Sequence, residues 1–192
     1  MADGPGCGSV VPTLRTVCHV ALLRGIGPGN PKMRNAALID VLERAGLDDV
    51  RAVISSGNYL FRSEERRRRR LEERIEHALV EHLGAPCTAI VRSRRQIDGI
   101  ARLNVFDGFD DSPGERCNVT FLQRGAPVGV RVPEQGDGYR IIALRRQCIF
   151  FTVDAQRQKT PEVMRLLETT YGQRITTRTW RTVHRIARAL DG

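Results

Sequence analysis

The residues best suited to chemistry in this 192-residue chain are cationic, and they recur at two places. Arg24 ends an apolar run and leads into Gly25-Ile26-Gly27-Pro28-Gly29-Asn30-Pro31-Lys32. A glycine-rich loop between a strand and a helix offers free backbone N–H groups, which suit a phosphate. Arg24, Gly25, Gly27 and Lys32 are therefore candidate anion contacts. The glycine spacing is not that of a dinucleotide-binding turn. Met33 stands after Lys32, where a phosphate-loop ATPase needs Ser or Thr. Pro28 and Pro31 remove two donors.

The second place is the C-terminus. From Arg140 onward there are eleven basic and four acidic side chains. Trp180, Val183, Ile186, Ala187 and Leu190 fall on one face of a final helix. Arg181, Arg185 and Arg188 fall on another, and Arg178 stands just before it. A guanidinium row of this kind can grip phosphate oxygens in pairs, so Arg178, Arg181 and Arg185 join the candidate ligand contacts. Trp180 reads as a core anchor of that helix, not as a stacking platform.

Between them lies Ser55-Ser56-Gly57-Asn58, which is turn chemistry. Ser56 and Asn58 are candidate ligand contacts if this turn lies beside the Gly-rich loop. A nucleophilic Ser56 would need a base in reach, and His19 is the base such an arrangement would call on. The run Arg66 to Arg70 cannot face one way on a helix, because successive residues turn by about 100°. It reads first as a solvated helix surface, with Glu72 and Glu73 placed for ion pairs to Arg68 and Arg69.

Other chemistries find little support. Cys7, Cys18, Cys87, Cys117 and Cys148 are scattered, without a CxxC pair or a Cys/His cluster, so no metal site is expected. No cofactor is indicated. Four of these cysteines sit in apolar, strand-like runs and read as buried, reduced thiols of a cytoplasmic protein. No apolar run reaches the about 18 residues of a membrane span. The formal charge of +9 favours anionic partners, whether nucleic acid or a phosphorylated small molecule. Aromatic residues make up only 5%, too few to support an RNA reader that stacks bases on its sheet.

These side chains depend on a framework that the hydrophobic pattern outlines. Residues 1–13 are rich in Gly and Pro and read as a mobile tail. Residues 16–23, 50–54, 59–62 and 87–91 read as strands, with helices over 33–45 and 63–83. This β-α-β-β-α-β order is the ferredoxin-like split pattern. It predicts an antiparallel sheet with helices on one face, over residues 14–92. A second α+β subdomain over 93–192, sharing the core, is predicted from helices at 93–103, 160–171 and 179–190. Its strands are predicted at 117–122, 139–144 and 148–153.

Four segments together carry a family likeness: ALLRGIGPGNPKM (21–33), LERAGLDDVRAVISSGNYLF (42–61), CNVTFL (117–122) and TTRTWRTVHRIA (176–187). The chain resembles the bacterial domain of unknown function 1697. The resemblance implies an α+β fold with ferredoxin-like parts. It implies that Arg24, Gly25, Lys32, Met33, Ser56, Gly57, Asn58, Arg178, Trp180, Thr182 and Val183 match the family's motifs. It implies no activity, cofactor or catalytic residue. The reading that results is a protein that binds a phosphate-bearing anion through the Gly-rich loop and the C-terminal arginine row. Its alternatives are an enzyme acting on a small polar substrate near the Ser-Gly-Asn turn, and a homodimeric interaction module.

Overall fold

The structure, a computed structural model, describes residues 16–27, 29–54, 57–125, 133–157 and 160–191. The first sheet is built from β1 (Val17–Arg24), β2 (Asp48–Ala52), β3 (Asn58–Ser63) and β4 (Thr88–Ser93), in the order β2-β3-β1-β4. All its pairings are antiparallel. With α1 (Asn35–Arg44) and α2 (Arg68–Leu83) as the crossovers, this is the ferredoxin-like order predicted from the sequence.

Alternation along β1 explains its unbroken apolar run. Ala21 and Leu23 point to α1 and α2, packing with Leu38, Leu42, Leu71, Ile75 and Leu79. Val20 and Leu22 point the other way, into a core shared with the second half of the chain. Both faces of the strand are therefore buried, which a strict polar/apolar alternation could not satisfy. Helices cover both faces of this sheet, not one: α3 (Arg94–Ala101) and α5 (Trp180–Asp191) fill the side opposite α1 and α2.

The second sheet has the order β6-β7-β8-β5-β9. Its strands are β5 (Glu115–Leu122), β6 (Gln135–Gly136), β7 (Tyr139–Arg145), β8 (Cys148–Asp154) and β9 (Ile175–Thr179). One face packs on α4 (Thr160–Tyr171) through Leu122, Ile149, Phe151, Val163 and Leu167. The other joins the shared core through Val119, Phe121, Phe150, Val183 and Ile186. Trp180 packs edge-on against Phe106 and Phe150, as a core anchor should.

Two boundaries differ from expectation. The second helix starts at Arg68 instead of Ser63, because Ser63 Oγ accepts from Glu65 N at 3.2 Å and the Glu65 carboxylate accepts from Arg67 N at 2.7 Å. These local bonds compete with the first helical turn. The run Ile175-Thr176-Thr177 forms a full strand, β9, paired with β5 from Leu122↔Ile175 to Asn118↔Thr179. The helical signal of the adjoining segment conceals it in the sequence.

Candidate functional site

The Gly-rich loop turns out of β1 at Gly25, whose φ of +80° favours a residue without a Cβ. Within the loop, Asn30 Oδ1 accepts from Lys32 N at 3.0 Å and starts the short 3₁₀ turn Pro31–Met33. Gly27 N donates to Met33 Sδ at 3.3 Å. The Lys32 ammonium is exposed, and the Lys32 carbonyl is bound to His82 Nε2 at 3.0 Å. Arg24 turns away toward α4, pairing with Glu168 at 3.0 Å and donating to Gln173 O at 2.6 Å.

The end of β1, the Ser-Gly-Asn turn and β9 meet around Arg178. Its Nε donates to Asn58 Oδ1 at 2.5 Å, and Nη1 donates to Thr176 Oγ1 and Thr177 O, each at 2.8 Å. Nη2 donates to Leu23 O at 2.8 Å and Gly57 O at 3.0 Å. A guanidinium has five N–H donors, so these five contacts occupy its whole donor set. Burial pushes its pKa down to about 10, and the group stays charged at neutral pH. Asn58, fully buried, also donates from Nδ2 to Val53 O at 3.2 Å. Sequence motifs that are far apart in the chain thus converge, in a seam that joins the two sheets. Ser56 lies outside the described residues. His19 stacks on Phe61 with Nδ1 near Val17 O at 2.9 Å, and burial lowers its pKa.

The arginines of α5 do not form a free row. Arg181 pairs with Asp111, whose Oδ2 lies 3.1 Å from Arg181 Nε. Arg185 is exposed, and among the described residues it has no ion-pair partner.

The seam has a second stitch that sequence reasoning missed. Arg92 is 1% exposed, and donates to Val91 O at 2.9 Å and across to Leu122 O at 2.7 Å. Its guanidinium carbon lies 5.8 Å from the centre of the Phe121 ring. Gln123 Nε2 reaches back to Ala89 O at 3.0 Å and Glu76 Oε1 at 3.1 Å. The only signal for Arg92 in the sequence is an arginine directly after an apolar strand, and that pattern ordinarily marks a strand end.

Positive charge also concentrates elsewhere, where α2 begins. A cleft of about 580 Å³ is lined by Arg66 to Arg70 and Arg124 against only Glu72 and Glu73. Arg67 stands at the N-cap without a side-chain cap, and the first turn holds no acidic residue. Arg67 binds Glu65 through side chain and backbone, holding that carboxyl down at about 2. Arg69 pairs with Glu73 at 2.7 Å, as the spacing predicts. Glu72 does not take Arg68. It is 4% exposed and accepts from Val91 N at 2.9 Å, and burial raises its pKa. Arg68 instead donates to Gln147 Oε1 at 3.3 Å. An adjoining cavity of about 440 Å³ is lined by Arg69, Arg124 and Arg174 with Glu72, Glu73 and Glu76, so its charges balance and the cationic excess is confined to the cleft at the start of α2.

Among the described residues no three His, Cys, Asp or Glu side chains gather to hold a metal ion, and no helix is long and apolar enough to cross a membrane.

An α+β protein with a ferredoxin-like half and a guanidinium-stitched seam is the class that these features define. The family profile described as "Protein of unknown function (DUF1697)" matches residues 17–150, and the chain belongs to this family. The fold is similar to that of the conserved bacterial protein SP0830 from Streptococcus pneumoniae, with a TM-score of 0.69 at 20% identity, over 93% of this chain and 100% of that one. No curated protein matches the chain significantly.

Proposed function

We propose that the protein binds a phosphate-bearing anion, of nucleic acid or a nucleotide-like ligand, through its cationic surface. The observation that carries this reading is the cleft at the start of α2, where six arginines face two glutamates. Several of those arginines are engaged by Glu65 or Glu73, yet the guanidinium groups of Arg67, Arg69 and Arg70 stay largely exposed and keep donors for a phosphate. Lys32 on the Gly-rich loop and Arg185 on α5 add exposed cations beyond the cleft. Arg178 contributes through the field and the scaffold, since its five donors are already bound, while Arg24 and Arg181 each keep donors beyond their pairs with Glu168 and Asp111. The free cysteines are in keeping with a cytoplasmic setting.

The test is calorimetric titration with inorganic tripolyphosphate. The affinity should fall steeply between about 50 mM and about 200 mM salt, as expected where phosphate charge is neutralised by arginine. A salt-independent affinity, or none at low salt, overturns the reading.

A further inference from the structure

We propose that the cleft at the start of α2 is one end of a belt that grips the phosphodiester backbone of duplex nucleic acid without reading its sequence. This inference rests on the anion-binding reading above and names its ligand class.

Sequence and local structure conflict at this helix end. A helix N-terminus carries partial positive charge and favours acidic residues. Here a 16-residue helix begins in a run of five arginines, with neither a side-chain cap nor an acidic residue in its first turn. Each departure weakens the helix. Such departures from local preference are expected where function requires them. Glu65 takes Arg67 N here, and a phosphate would meet the remaining N–H groups of the helix start together with the exposed arginines.

The cationic surface extends beyond the cleft. Arg68 holds Gln147, which with Arg146 forms the tip of the β7–β8 hairpin. The Arg146 guanidinium reaches α3, its Nη1 lying 3.1 Å from where a Cβ on Gly99 would stand. Arg95 and Arg102 are spaced i−4 and i+3 from Gly99, on the same side of that helix. Arg95, Arg102, Arg145 and Arg146 are all exposed. Cations thus continue from α2 across the hairpin tip to α3, which is more than one phosphate needs and suits a row of them.

The lining of the cleft suits a duplex better than a single strand. Proteins that hold single strands combine positive charge with aromatic platforms for unstacked bases. No aromatic side chain lines this cleft or the adjoining cavity. Arginine forks without stacking partners recognise backbone, and a duplex presents backbone with its bases hidden.

The experiment is fluorescence anisotropy of the full chain with short DNA and RNA duplexes, and with the matching single strands, over a salt series. Two variants are compared. One is Arg66→Ser/Arg69→Ser/Arg124→Ser, three exposed positions in the cleft. The other is Lys32→Ser/Arg185→Ser, outside it. Circular dichroism and a melting curve verify that both fold.

The proposal expects both duplexes to bind more tightly than the single strands. The cleft variant should lose at least about tenfold in affinity, and the slope of log affinity against log salt should fall by about 2 to 3. A duplex preference seen for only one sugar type keeps the backbone assignment and identifies which duplex is the ligand. Single strands that bind as tightly as duplexes overturn the duplex assignment. A cleft variant that binds like the wild type, with Lys32→Ser/Arg185→Ser weakened, overturns the location and leaves anion binding standing. Tripolyphosphate binding without duplex binding overturns the nucleic-acid class alone. Absence of both removes the anion-binding reading itself.

Discussion

Arg178 and Asn58, 120 positions apart, are joined side chain to side chain across the seam between β9 and β3, with Arg178 Nε donating to Asn58 Oδ1 at 2.5 Å. The remaining Arg178 donors hold the carbonyls of Leu23, Gly57 and Thr177 and the hydroxyl of Thr176. Replacing this arginine strands acceptors that are otherwise shut away from water. Arg178→Met should lower unfolding stability by about 3 kcal/mol. Arg178→Lys keeps the charge but not the fork, and should recover only part of that loss. Urea unfolding midpoints measure both.

Gly57 stands under the same guanidinium. Its φ is +68°, and an added Cβ would lie 3.1 Å from Leu23 O and 3.5 Å from Arg178 Nη2. Gly57→Ala combines backbone strain with a close contact to the main chain. It should cost about 2 kcal/mol, measured by the same unfolding experiment.

The β7–β8 hairpin turns through Arg146 and Gln147, with φ of 53° and 58°. Left-handed geometry at both central residues favours Asn-Gly. Arg146→Asn/Gln147→Gly should therefore stabilise the fold by about 1 kcal/mol. The same variant should weaken duplex binding, because it removes a cation and the anchor of Arg68. A thermal melt and the anisotropy assay read the two effects separately.

Stability should fall on mild acidification. Burial lowers the pKa of His19 below its ordinary 6.5, and burial followed by the charge of Arg188 lowers that of His184. Below pH 6.5 the unfolded chain takes up protons that the folded chain refuses, so acid favours unfolding. The loss grows until the folded histidines also titrate. Glu72, whose pKa is raised by burial, acts in the opposite sense above pH 4.5 and blunts the slope. His19→Phe, which keeps the stack on Phe61, should flatten the dependence of the urea midpoint on pH between about 5 and 7.

Thiol chemistry gives an independent check on packing. Burial pushes the Cys117 and Cys148 thiols up to about 12, and that of Cys87 up to about 11. An aromatic disulfide reagent at neutral pH should leave Cys117 and Cys148 unmodified in the native protein and label them on unfolding. Rapid native labelling of either would contradict the core described above.

The first sheet is legible because β1 and β3 are short continuous apolar runs and their two helices each bury a regular stripe. The antiparallel β7–β8 hairpin was equally visible. β9 was not, since Ile175 to Thr179 is short, threonine-rich and runs directly into α5. The start of α2 was misplaced because helical propensity does not register the bonds that Ser63 and Glu65 make to nearby backbone. The arginines show the deeper limit. Charge and spacing say that Arg24, Arg178 and Arg181 are cationic, but not that Glu168, Asn58 and Asp111, distant in the chain, are their partners. The arginine run at 66–70 reads in the sequence as a solvated helix surface, and in the structure it lines a cleft with Arg124.

The margin of β4, an edge strand covered by α2 and by Gln123, bears on how this chain tolerates being cut. The amide hydrogens of Val91 and Ala89 are claimed by Glu72 and Glu76 of α2, while the oxygen of Ala89 waits for Gln123 from the other sheet. A polypeptide ending before β5 would keep the first two guards and forfeit the third, along with the donors that Arg178 brings to Leu23 and Gly57. Such a fragment would carry naked acceptors along a ready strand border, and would aggregate or recruit a foreign strand sooner than persist alone.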